Sequence, residues 1–274
     1  MVIDPWSSPG TGYEMLQATC EQFEIKTTQG VSLRARAWEA SAETRCTLGI
    51  VHGIGEHSGR YDHVARRFNQ AGCRVLAYDQ RGHGVSPGRR GHVGRFEYLL
   101  DDVERFVEEM QSRSAGEPLV LYGQSLGGCL VLSYVLRRRP SVDGLIITSP
   151  LLLTTKPPPR WKMAAARLAV GIVPWFTLGH GIRRDELSQD PDSREERNQD
   201  TLMHDRVSAR LGLSMLAEGR WLLSNAEKLN VPTLLMHGIA DSVTSADASV
   251  EFADRAGTVC TLKLWKKMLH ELQW

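Results

Sequence analysis

The sequence predicts an α/β fold with a mostly parallel sheet flanked by helices. Three observations carry this reading. Mainly apolar runs recur at 47–51, 74–78, 118–122, 145–148 and 232–236, with a further strand pattern at 260–264. Helical patterns separate several of them, and the runs are continuous rather than alternating, as strands buried on both faces of a parallel sheet require. One run leads through a glycine-bracketed serine, Gly123-Gln124-Ser125-Leu126-Gly127, into an apolar helix.

Taken in order, residues 22–39 read as two strands around Gln29-Gly30, with alternation at Phe23 and Ile25 and again at Val31, Leu33 and Ala35. The run at 47–51 ends in His52-Gly53. Tyr61, Val64, Ala65 and Phe68 recur at helical spacing within 60–71. The run at 74–78 ends in Asp79 and a Gly-rich loop. Residues 97–113 carry Leu99, Leu100, Val103, Phe106, Val107 and Met110, an amphipathic helix. A strand at 118–122 and a helix at 126–138 follow, and another helix begins near Ala246. Residues 151–206 interrupt the pattern. They hold no strand candidate, but contain Pro157-Pro158-Pro159, an apolar stretch at 161–176 and a charged stretch at 183–200. They read as an insertion between two sheet strands.

Composition narrows the function. The 274 residues are enough for a core, and 42% hydrophobic with 24% charged is ordinary for a soluble globular protein. Lys+Arg (33) and Asp+Glu (32) nearly cancel to +1, so no global basic field exists to hold a nucleic acid. Five cysteines at 20, 46, 73, 129 and 260 form no C-x-x-C pair. They read as small, unpaired, buried residues in a reducing, cytoplasmic compartment, Cys129 as core packing rather than a nucleophile. Residues 1–13 lack the apolar region of a secretory signal, and no stretch reaches the ~18–20 apolar residues of a spanning helix.

Gly123-Gln124-Ser125-Leu126-Gly127 fits G-x-S-x-G. A Ser hydroxyl needs an adjacent base to attack, and a tight strand-to-helix turn lifts it clear of the sheet. Gly123 and Gly127 are then needed because a Cβ would collide with neighbouring chain. A plain Gly-rich turn is the rival reading, against which the strand–helix context argues. A tetrahedral intermediate needs two donors: the N–H of Leu126, and one from an earlier loop, for which Ile54 in His52-Gly53-Ile54-Gly55-Glu56-His57 is the candidate. His52 reads as structural.

In this architecture the acid and then the base follow the serine. Asp241 lies just past the strand at 232–236, with Asp247 in reserve and helix capping as the rival role. His270 is the one histidine after Asp241. Glu56 is open to two readings, a contact to substrate hydroxyls or an ion pair with Arg60. Arg137-Arg138-Arg139 reads as a solvated helix end.

Together these segments resemble the α/β-hydrolase superfamily, and within it the monoacylglycerol lipase and lysophospholipase family. The resemblance rests on the block from His52 through Gly55-Glu56-His57-Ser58-Gly59-Arg60-Tyr61, the loop from Asp79 to Gly84 with Ser86, the Ser125 segment, His237-Gly238-Ile239-Ala240-Asp241, and His270-Glu271-Leu272. It implies an α/β-hydrolase core (1–150 and 207–274) with a cap at 151–206, Ser125, Asp241 and His270 as triad, and Ile54 and Leu126 as oxyanion donors. Gln124 stands where the family more often has His, implying a tuning effect. The family continues into a final helix, whereas this chain stops four residues after His270, which implies a poorly supported His270 loop.

The implied activity is hydrolysis of a small lipid ester through an acyl-enzyme: a monoacylglycerol first, a lysophospholipid or a short-chain or aryl ester as alternatives, and a silent ligand-binding protein as the non-enzyme rival. No metal, organic cofactor or nucleic acid partner is called for, and the near-zero charge suits a neutral or zwitterionic lipid. The stretch at 161–176 suits a lid roofing an acyl pocket, an interfacial helix making peripheral membrane contact, or a cap helix buried on the core. In the first case Trp175 and Phe176 contact the acyl chain.

Overall fold

The computed structural model describes residues 20–40 and 43–273; the signal-free reading of residues 1–13 lies outside them. Two antiparallel strands, β1 (Cys20–Lys26) and β2 (Ser32–Trp38), turn at Gly30, whose φ of +74° suits a residue without a Cβ. Then come β3 (Cys46–Val51), α1 (Asp62–Gln70), β4 (Cys73–Tyr78), α2 (Glu97–Arg113), β5 (Leu119–Gln124), α3 (Leu126–Arg138) and β6 (Gly144–Thr148). The segment before the next sheet strand holds α4 (Arg160–Ile172), β7 (Thr177–Gly179), α5 (Pro191–Gln199), β8 (Arg206–Ser208) and α6 (Ala209–Ser224). β9 (Thr233–Gly238), α7 (Ala246–Ala256) and β10 (Cys260–Trp265) follow.

The eight-stranded sheet runs β1-β2-β4-β3-β5-β6-β9-β10. β2 pairs antiparallel with β1 and β4, and every later pairing is parallel. The predicted α/β architecture is therefore the observed one. Central strands β3, β4 and β5 are buried on both faces, which is why their sequences do not alternate, whereas edge strand β1 does expose alternate residues. One face packs through Leu121, Ile147 and Leu235 on α2, α3, α6 and α7; α1 covers the other through Val64 and Ala65.

Register aligns the chemistry. Val51 pairs with Gly123, Gln124 with Thr148, and Gly238 with Trp265. The loops after β3, β5, β9 and β10 thus leave the same edge, the carboxyl ends of parallel strands, where α/β proteins bind ligands.

Three expectations are corrected. Residues 151–206 contain β7 and the start of β8, which pair antiparallel; three-residue strands are too short to display a period. α4 is not buried against the core: none of its residues is buried, although it lies along α6. Cys46 and Cys73, opposite each other at the starts of β3 and β4, are joined in a disulfide. The argument from unpaired cysteines to a reducing compartment therefore loses its basis, while Cys129 is buried as expected, its thiol pushed up by burial. Arg137, Arg138 and Arg139 are exposed at the end of α3, as expected of a solvated helix end; Arg137 also forms two 2.9 Å bonds to Glu218 and lies over the Trp221 ring, and Arg138 pairs with Asp101.

Among the described residues, no helix is long and apolar enough to cross a membrane.

Candidate active site

Ser125 sits between β5 and α3 with φ +53° and ψ −115°, a conformation that costs a non-glycine residue ~1–3 kcal/mol. Its neighbours hold it there. Its N–H donates to Thr148 O at 3.0 Å, and its carbonyl accepts from the N–H groups of Cys129 and Leu151. The flanking glycines are required by space. A Cβ on Gly123 would lie 2.7 Å from Gly127 O, and one on Gly127 would collide with Val51 O at the end of β3. The bare first turn of α3 can therefore lie on the end of β3. Leu126 opens α3, so its N–H is among the four that no helix carbonyl can accept.

The loop after β3 lies against the serine. A Cβ on Gly53 would be 3.2 Å from Ser125 Cβ and would meet the Gln124 amide oxygen. Glu56 Oε1 accepts the Gly53 N–H at 2.5 Å and the Tyr61 hydroxyl at 3.0 Å, while Glu56 Oε2 lies 3.6 Å from Arg60 Nε. His52 is buried and structural: Nδ1 donates to Gly53 O at 2.7 Å and Nε2 accepts from the Gln80 N–H. The Asp79 block braces the loop from behind. Its carboxylate accepts from Ser58 N–H and Oγ and from Val85 N–H.

The loop after β9 brings Asp241 to His270. His270 Nδ1 lies 2.8 Å from Asp241 Oδ2. A carboxylate only accepts, so Nδ1 carries the proton and Nε2 is left free to accept one. Asp241 also accepts from Val243 N–H (2.7 Å), Thr244 N–H (3.1 Å) and Thr244 Oγ1 (2.8 Å). A second imidazole serves it as well. His237 Nε2 lies 3.1 Å from Oδ2, and its Nδ1 accepts from Ser249 Oγ at 2.7 Å. Burial works against the Asp241 charge, but His270, His237 and the Val243 N–H outweigh it and hold the carboxyl well below the usual range. Burial likewise works against charge on His270, but Asp241 outweighs it and the imidazole pKa is raised above 6.5. Asp247 is exposed in the first turn of α7, and Ser245 caps that helix, so neither reserve role falls to Asp247 or Asp241.

Ser125, His270, Ile54 and Glu56 line one cavity of about 610 Å³, roofed by residues of the 151–206 segment such as His180, Leu187, Arg197 and His204. Burial lowers both roof imidazoles, His204 to about 4, so they are neutral near pH 7. Trp175 and Phe176 are outside this cavity and 49% and 54% exposed, so the acyl contact expected of them is corrected. Their apolar character reflects an outward surface. Of the two readings of Glu56, the ion pair with Arg60 is present, and Glu56 also lines the cavity.

Sequence reasoning gave His237 no role beyond its place in the motif and missed Thr244 and Ser249. The i, i+4 spacing of His237 and Asp241 across a strand end was the available signal. It also missed support for the His270 loop. Gly238 leaves room for the Met268 and Leu269 carbonyls, and Glu271 is held by Arg60 and Arg197, so the loop expected to be poorly supported is seated on both sides.

Comparison with known proteins agrees with the geometry. The family profile described as serine aminopeptidase, S33 matches residues 42–273. A Dictyostelium discoideum abhydrolase domain-containing protein is 36% identical over 93% of this chain, which spans only 27% of that protein. Human monoglyceride lipase is 30% identical, over 89% of this chain and 81% of its own length. The crystal structure of Paleococcus ferrophilus monoacylglycerol lipase superposes with a TM-score of 0.80 at 33% identity, covering 88% of this chain and 91% of that one. An elbow serine, an Asp–His pair on the later loops and a profile spanning most of the chain converge: this protein is a member of the serine aminopeptidase S33 family of α/β-hydrolases.

Proposed function

We propose that this serine ester hydrolase cleaves monoacylglycerols through an acyl-enzyme formed on Ser125. The observation that carries the reading is the shared cavity: a strained, exposed-to-cavity serine and a histidine whose Nδ1 is bonded to a buried carboxylate. Ser125 Oγ attacks the ester carbonyl while His270 Nε2 takes its proton. The oxyanion is met by the N–H groups of Leu126 and Ile54. Asp241 stabilises the imidazolium, which then protonates the leaving glycerol oxygen. Water, deprotonated by His270, releases the fatty acid and restores Ser125. The names of the human and archaeal relatives support the glyceride substrate.

Residues 151–206 act in this reading as a lid. Their outward face supports contact with a lipid surface. Trp161, Leu168 and Ile172 recur along α4 at 68–75% exposure, with Trp175, Phe176 and Leu178 beside them. The only charges between 151 and 182 are Lys156, Arg160, Lys162 and Arg167, all cationic. Arg183 and Arg184 on the cavity wall favour one second reading, a lysophospholipid.

A panel decides: monoacylglycerols from acetyl to oleoyl, lysophosphatidylcholine and nitrophenyl acetate. The proposal expects the highest kcat/KM on a medium- or long-chain monoacylglycerol. Preference for lysophosphatidylcholine selects the second reading, and activity confined to acetate esters overturns both.

A further inference from the structure

We propose that Glu271 is a positioning residue that fixes the His270 loop by anchoring it to the inserted segment, so that placement of the base depends on α5. Glu271 is 5% exposed and directly follows His270. Both its main chain and its side chain are held by residues 151–206. Its N–H donates to Leu187 O at 2.8 Å, and its Oε2 accepts from Arg197 Nη2 of α5. Arg197 is itself 2% exposed and donates to Arg184 O at 3.2 Å, so it is fixed before it meets the carboxylate.

The same Oε2 accepts from Arg60 Nη2 at 3.4 Å, and Arg60 lies 3.6 Å from Glu56. Four buried charges, Arg197, Glu271, Arg60 and Glu56, therefore run from the lid, past the base, to the loop whose Gly53 N–H ends on Glu56. Two cations and two anions balance, which lets the row stay buried; removing one member leaves its neighbours uncompensated. Surface lysines or a single exposed pair would hold nothing in register. A buried row that joins the lid, the base loop and the oxyanion loop can. Displacing a reacting group by about 1 Å is enough to cost ~10²-fold in rate.

The inference rests on His270 acting as base for Ser125, and the experiment separates the two. Glu271→Gln keeps shape and removes charge; Arg197→Met and Arg197→Lys change only its partner on α5. We expect Glu271→Gln and Arg197→Met each to lower kcat by ~30- to 100-fold with KM within threefold. Arg197→Lys, which keeps the ion pair, should recover most of the rate. The double variant Glu271→Gln/Arg197→Met should be no slower than either single one, because both break the same link. Wild-type kcat in folded Glu271→Gln, alongside an inactive Ser125→Ala, overturns this inference alone. Full activity in Ser125→Ala overturns the catalytic reading beneath it. Additive losses, or failure of Glu271→Gln and Arg197→Met alike to fold, overturn positioning in favour of a purely structural role.

Discussion

Replacing Asp241 by Asn keeps the size of the side chain and removes its charge. Oδ2 presently takes the His270 Nδ1–H at 2.8 Å, together with Thr244 Oγ1 and His237 Nε2, in a site where the Asp241 side chain has no exposure. In the proposed mechanism the imidazole becomes cationic during attack. A unit charge ~3–4 Å from a carboxylate, at an effective dielectric of about 20, gains about 4–6 kcal/mol. Loss of that term corresponds to a ~10³- to 10⁴-fold fall in kcat, similar to the ~10⁴ that serine proteases lose on the same swap. The pH profile gives a second reading of the same bond. In the proposed mechanism the free base is the active form of His270, so activity should rise with pH through its pKa, which Asp241 holds above 6.5. In Asp241→Asn the burial that lowers the pKa remains while its main opponent is gone, so the acid limb of kcat/KM should move below 6.5. Steady-state kinetics on a soluble monoacylglycerol between pH 5 and 9 measure both effects. A kcat within tenfold of wild type, or an unmoved acid limb, would refute the reasoning.

Gly53→Ala should stay folded yet lose ~10²-fold in kcat, because its Cβ would press on Gln124 and lie 2.9 Å from Glu56 Oε1, shifting the Ile54 loop; a kinetic titration of active sites with unchanged circular dichroism checks this. Gly127→Ala faces the Val51 carbonyl, a backbone atom that cannot swing aside, so urea unfolding should show a loss above ~3 kcal/mol or no soluble protein. Arg81→Met removes the bidentate partner of buried Asp102 (2.6 and 2.5 Å) and should cost ~3–5 kcal/mol in the same assay, with the pocket residues untouched. The double change Trp175→Ser/Phe176→Ser should leave kcat/KM on a soluble short-chain ester within twofold while reducing sedimentation with phosphatidylglycerol vesicles several-fold; a KM change on soluble ester instead would return these residues to the cavity.

The central strands were legible because burial on both faces removes alternation, and the serine turn because steric rules restrict Gly123 and Gly127. Chain order singled out Asp241 and His270, and the two side chains meet at 2.8 Å. What stayed hidden depends on register or direction. Cys46 and Cys73 are 27 residues apart and meet only because β3 and β4 pair in parallel at their first residues. α6 was unassigned although Ser208 caps it and Leu211, Met215 and Leu222 mark one buried face. The apolar stretch at 161–176 was legible as apolar, but sequence cannot say whether a helix apolar on most sides turns Trp161 and Leu168 inward or outward. Buried charge pairs are equally silent: nothing near Glu271 in sequence announces Arg197, 74 residues away.

The most direct test of the central claim is covalent. A fluorophosphonate should modify the folded protein once, and peptide mass spectrometry should find the adduct on Ser125. Ser125→Ala should take no label and hydrolyse no monoacylglycerol. An adduct on another residue, or glyceride hydrolysis that survives in folded Ser125→Ala, would contradict the account.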